Sequence, residues 1–130
     1  MLDKKLLVSI VTMFVLGMAA GMLVHGMILH DDYARLPQLM RSESEAHKLM
    51  GLMLVAQLCW ATGFSWIYVR GREAKPWLGQ GFRYAIAVCL VAVVPMYLIY
   101  YVIMPFPSDL VAQQIVYDSI VTVVMGVVLA

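Results

Sequence analysis

The stretch HGMILHDDYARL, residues 25–36, closes a long apolar run with two histidines, two aspartates, a tyrosine and an arginine. Imidazole nitrogens and carboxylate oxygens bind divalent metals. His25, His30, Asp32 and, from the next segment, His47 therefore form a weak candidate metal set, with Asp31 beside them. The spacing argues against it. No His-x-x-x-His or His-Glu-x-x-His pair fixes two ligands on one helical face. A helix leaving an apolar environment explains the same residues, with Asp32 and Tyr33 beginning a turn. His25 lies about 6 Å further in, at 1.5 Å per residue, and is expected to turn into the protein alone. If the helix continues, His25 and Asp32, seven apart, share a face.

A second group lies in DLVAQQIVYDSIVTVVMG, residues 109–126. Spacings of three and four put Gln114, Tyr117, Asp118, Thr122 and Gly126 on one helical face. Asp118 falls about 13 Å into that segment. A charged carboxylate in hydrocarbon costs about 2.5–3.5 kcal/mol on insertion scales, so such a residue is a functional candidate by default. It is expected to be paired or protonated and to face the interior, near Gln57 or Tyr97. The structural alternative is a hydrogen bond that fixes helix register. Pro95, in CLVAVVPMYLIYY, cannot donate to the carbonyl of Val91 and must kink its helix or open the ladder. Gln57, Tyr97, Asp118 and His25 fall at comparable depths in four segments. His25, Gln57, Tyr97, Gln114 and Asp118 thus make a hypothetical ligand or ion pathway open to the outside, or a structural polar layer.

Other chemistry finds little support. No serine sits in a GxSxG, and GQGFRYA, residues 79–85, has no preceding strand that would make it a phosphate loop. Cys59 and Cys89 both lie in apolar runs with no CxxC, and read as small hydrophobes. Met13, Met18, Met22 and Met27 carry thioethers that suit Cu(I), but methionine is also a routine gap filler. Haem needs axial ligands, and no mid-depth histidine pair is present. No cofactor is favoured and no catalytic residue is assigned.

The elements that must hold these residues are long apolar blocks. Of 130 residues, 63% are hydrophobic and 13% charged, against roughly half and a quarter in soluble domains. Four runs, residues 6–29, 49–69, 78–103 and 110–130, each approach or exceed the about 20 residues a helix needs to cross a bilayer. Backbone groups in lipid must bond internally, so these are helices. The expected fold is all-α: a single-domain four-helix transmembrane bundle. The first run is too long for a signal peptide and reads as a retained helix. Short connections predict antiparallel neighbours. Gly17 and Gly21 form a GxxxG that admits a close helix, within the chain or between copies.

Lysine and arginine set the orientation. Lys4, Lys5, Arg70, Arg72 and Lys75, with Arg83 just inside span three, outweigh Arg35, Arg41 and Lys48. Both termini are expected to be cytoplasmic, which turns the HDDY rim outward. Tyr68, Trp77, Tyr100, Tyr101 and Phe106 sit near span ends as an aromatic belt. A net charge of +1 points to no nucleic-acid partner.

LHDDYARLPQLMRSE, WIYVRGREAKPWLGQGFRYA and PMYLIYYVIMPFP resemble segments of a group of small uncharacterised bacterial four-helix membrane proteins, over most of the chain. The resemblance implies a bacterial inner-membrane location and brings no activity or residue role. The leading expectation is a non-enzymatic inner-membrane protein, either a homo-oligomer or an accessory subunit of a larger membrane complex, with lipid and other membrane subunits as partners. One alternative is a small transporter or channel using the outward polar layer with Asp118. Another is a metal, haem or quinone binder at the outer rim.

Overall fold

The computed structural model describes residues 3–130, which are helical throughout with short connections and contain no strand. The elements are α1 (Lys4–Leu23), α2 (His30–Ala34), α3 (Glu43–Lys48), α4 (Met50–Gly71), α5 (Trp77–Val88), α6 (Val94–Ile103) and α7 (Ser108–Leu129). Two π turns interrupt the series, Val24–Ile28 after α1 and Cys89–Val93 between α5 and α6. Four continuous helical stretches are long and apolar enough to cross a membrane: Lys4–Ile28, Met50–Gly71, Trp77–Ile103 and Ser108–Leu129. The chain is therefore an all-α protein with the sequence features of a multi-pass membrane protein. Its expected span ends, residues 6, 29, 49, 69, 78, 103, 110 and 130, lie within two residues of these, a displacement typical of fraying helix ends.

By its contacts the chain forms two compact units, one ending at Val69 and one comprising Arg70–Ala130. In the first, Asp3 caps α1, its carboxylate accepting the amide of Lys5 at 3.2 Å. Met13, Gly17 and Val24 are buried, four and seven residues apart on one face. The next buried residue, Leu29, comes five later, and its amide donates to the carbonyl of Val24 at 2.9 Å. That five-residue step is the π turn. Ser42 caps α3, accepting the amide of Glu45 at 3.4 Å, with acids in its first turn and His47 and Lys48 in its last. This charge order complements the helix dipole. In α4, Trp60 stacks on Phe64 with ring centroids 4.5 Å apart.

The second unit is built on a glycine crossing. A Cβ placed on Gly81 would lie 2.5 Å from the Gly126 carbonyl oxygen and 2.8 Å from the Ala130 Cβ. One placed on Gly126 would lie 2.7 Å from the Ala85 Cβ. The crossing pairs small residues four apart, Gly81 and Ala85 on α5 against Gly126 on α7 and Ala130 just past its end, which brings the backbones into contact. The GxxxG at Gly17 and Gly21 is different: Gly17 is buried, but a Cβ on Gly21 meets nothing within 4 Å. Before α5, the Gln80 side chain clamps the connection. Its Oε1 accepts the Glu73 amide at 2.8 Å, and its Nε2 donates to the carbonyls of Glu73 at 2.8 Å and Lys75 at 2.7 Å.

Candidate functional site

The π turn at Cys89–Val93 decides where Tyr97 points. Gly81, Ala85, Cys89 and Val93 are buried at steps of four. In an unbroken α-helix, at 100° per residue, Tyr97 would lie about 160° around from Gly81. The π turn takes up one extra residue, which cuts the offset to about 60°. Tyr97 therefore faces the same side as the glycine crossing, toward α7. Pro95 explains the position of the turn. Its ring has no N–H and crowds the carbonyl four residues back, and the wider turn, closed by the Val94 amide on the Cys89 carbonyl, makes room for it.

On α7, Gln114, Thr122 and Gly126 are buried and Tyr117 and Asp118 are half-buried. Asp118 is the eleventh of the 22 residues of α7, halfway along the span. The Tyr97 hydroxyl donates a hydrogen bond to Oδ2 of Asp118. One turn on, the Thr122 hydroxyl donates back to the Asp118 carbonyl at 2.7 Å. The Cys89 thiol, within the π turn, donates to the Ser119 carbonyl at 3.8 Å. The second unit thus brings together Tyr97, Asp118, Thr122 and the π turn, with Gln114 one turn away on the same face. A phenol and a carboxylate in contact at mid-span can hold, share or pass on a proton, or offer oxygen atoms to a cation.

The remaining site candidates belong to the first unit. Gln57 is half-buried on α4, in the first unit. His25, also in the first unit, lies in the other π turn, and its Nδ1 is 2.7 Å from the Tyr33 hydroxyl, the rings stacked with centroids 6.0 Å apart. The residue that shares its face is Tyr33, eight along, rather than Asp32, seven along. The extra residue of the π turn shifts the register by one. Asp32 instead faces Arg35 at 3.9 Å, while His30, Asp31 and His47 are exposed. Among the described residues no three of histidine, cysteine, aspartate and glutamate come together as a metal-ion group. Cys59 is exposed, Cys89 buried, and both are free thiols.

Two features escaped the sequence reading. The Ser65 hydroxyl is fully buried without a hydrogen-bond partner among the described residues, unlike the hydroxyls of Ser9, Thr12 and Thr62, which bond back four residues along their helices. The π turns also escaped, although Pro95 was the available signal for one of them.

No curated protein and no solved structure matches the chain. A family model described as Protein of unknown function (DUF1761) matches residues 8–130, almost the whole of it. The glycine crossing, the Tyr97–Asp118 pair and both π turns all lie within that match, and the chain belongs to the DUF1761 family.

Proposed function

We propose that this chain is a small multi-pass protein of the bacterial inner membrane that moves protons or cations, with Asp118 as the group that takes up the charge and Tyr97 as its partner. The observation that carries this reading is a carboxylate halfway along a membrane-length helix, hydrogen-bonded by a phenol beside an interrupted helix. Hydrocarbon disfavours such a carboxylate strongly, and ionisable groups inside spans mark ion pathways and proton relays. π turns are frequent at functional positions. The protein acts without catalytic residues or a cofactor. Both termini face the cytoplasm, on the weight of Lys4, Lys5, Arg70, Arg72, Lys75 and Arg83.

The test is flux into liposomes containing purified protein and a pH-sensitive dye. Wild-type protein should dissipate an imposed proton or potassium gradient faster than empty vesicles. Asp118→Asn, which keeps a hydrogen-bonding group but cannot ionise, should remove at least nine-tenths of that flux while circular dichroism stays unchanged. Flux equal to that of empty vesicles, or unaffected by Asp118→Asn, would sink the reading.

A second reading, homo-oligomer or accessory subunit of a larger membrane complex, rests on a different observation. Met50 to Ala56, seven consecutive residues of α4, are all exposed. Seven residues pass twice around a helix, so this end of α4 offers apolar surface on every side. An apolar groove of about 250 Å³ between α1 and α4, lined by Ile10, Val11, Phe14, Leu54, Val55 and Leu58, borders it. Native mass spectrometry from nanodiscs decides between a single copy and an oligomer.

A further inference from the structure

The third span consists of two halves that are held to α7 in different ways. Its first half, α5, packs closely on α7 at Gly81, Ala85 and Gly126, and neither glycine has room for a Cβ. Its second half, α6, has no buried residue at all. Beyond Tyr97, every residue through Ile103 is exposed, Val102 at 84% and Ile103 at 71%. A side-chain hydrogen bond ties α6 to α7, from the Tyr97 hydroxyl to the Asp118 carboxylate. Between the halves lies the π turn, followed by Pro95. At this junction the i→i+4 ladder is replaced by a weaker, wider turn and a residue with no N–H.

We infer that α6 is a gate. It pivots at the Cys89–Val93 turn while α5 stays clamped to α7, and the Tyr97–Asp118 hydrogen bond is the latch that holds it shut over the carboxylate. The use of the gate rests on the transport reading above, whereas the hinge itself does not. Sharp kinks in helices form at prolines and π turns, and the elements that open are those with few buried contacts. α6 meets both conditions and α5 meets neither. The latch chemistry follows from the same pair. A proton on Asp118 turns a charge-assisted hydrogen bond into a weaker neutral one, and a cation competes with the phenol for the carboxylate oxygens, so loading the site weakens the latch and favours opening.

The π turn gives the experiment its sharpest variant. Because it accommodates one extra residue, deleting Val91, which is 80% exposed, together with Pro95→Ala should restore a continuous α-helix. Tyr97 then keeps its face and its latch, and only the hinge is lost. In a Cys59→Ser, Cys89→Ser background in nanodiscs, pulsed EPR would read two spin-label pairs. Val102→Cys with Val116→Cys spans α6 and α7, and Phe82→Cys with Val128→Cys spans α5 and α7; all four positions are exposed. Tyr97→Phe should lengthen and broaden the first distribution by several ångströms and leave the second unchanged. The Val91 deletion with Pro95→Ala should narrow the first distribution below wild type, with or without Tyr97→Phe, and slow liposome flux at least fivefold. The inference is overturned if Tyr97→Phe leaves the first pair unchanged or moves both pairs together, or if the deletion fails to narrow the first pair. Should Tyr97→Phe not fold, the deletion with Tyr97 retained decides alone. Absence of flux in every variant, with the distances behaving as expected, would discard transport and leave the hinge standing. A rigidified span with full wild-type flux would discard the gate and leave Asp118 as the transport site.

Discussion

Single residues set the energetics of the Tyr97–Asp118 pair. An intramolecular hydrogen bond contributes about 0.5–1.5 kcal/mol, and removing one partner leaves the other's half-buried polar atom unsatisfied. Asp118→Leu should therefore lower the unfolding midpoint in detergent more than Asp118→Asn does, since asparagine still accepts from Tyr97. A larger loss for Asp118→Asn would show that the hydrogen bond is not what the site contributes to stability. Glu73 offers a simpler case outside the spans. The Lys75 ammonium, first by hydrogen bond and then by charge, with a smaller contribution from Arg83, holds its carboxyl below the ordinary 4.5. A group depressed in the folded state adds stability above its unfolded pKa and loses it as pH falls through the folded value. The sign is thus loss of this small contribution below about pH 4.5. Carbon-detected NMR titration of Glu73 should give a midpoint under 4.5 that rises toward it in Lys75→Met. An unmoved midpoint would mean the pair does not persist in solution.

At the scale of elements, the two glycine motifs should respond in opposite ways. A methyl at Gly126 or Gly81 meets backbone and Cβ atoms at 2.5–2.8 Å, so α5 and α7 must separate. Overpacking of this kind costs about 1–3 kcal/mol. A methyl at Gly21 meets nothing within 4 Å, and replacing glycine with alanine in a helix gains up to about 1 kcal/mol. Gly126→Ala should therefore lower the thermal midpoint, and Gly21→Ala should hold or raise it. The reverse order would place the close crossing on the first span, where the GxxxG sequence first suggested it. The π turns are the other element-scale device. Each inserts one residue, and each thereby turns an aromatic hydroxyl, Tyr33 or Tyr97, toward a titratable partner.

For the whole molecule, the prediction concerns orientation. A cysteine at Ser42, in a chain lacking Cys59 and Cys89, should react with an impermeant maleimide added to intact cells. One at Gly71 should react only after the membrane is opened. The opposite pattern would turn the HDDY rim to the cytoplasm and make the Tyr97–Asp118 gate open inward.

The sequence by itself determined the four spans, because a run of about 20 apolar residues in lipid has no alternative to a helix. It also determined the polar face of α7, since spacings of three and four fix which side chains line up whatever the neighbours are. Gln114, Asp118, Thr122 and Gly126 could be read there directly. Tyr97 was legible, beside Gln57, as a neighbour of Asp118, but only the tertiary structure decided that its hydroxyl meets the carboxylate, which glycines touch another backbone, and that His25 pairs with Tyr33. Those outcomes depend on helical register, and register was altered by two π turns. A π turn costs one residue of phase and leaves composition and hydropathy untouched, so counting along an ideal helix put Asp32, instead of Tyr33, on the face of His25. Pro95 marked one such break in the chain. Nothing in VHGMI marked the other.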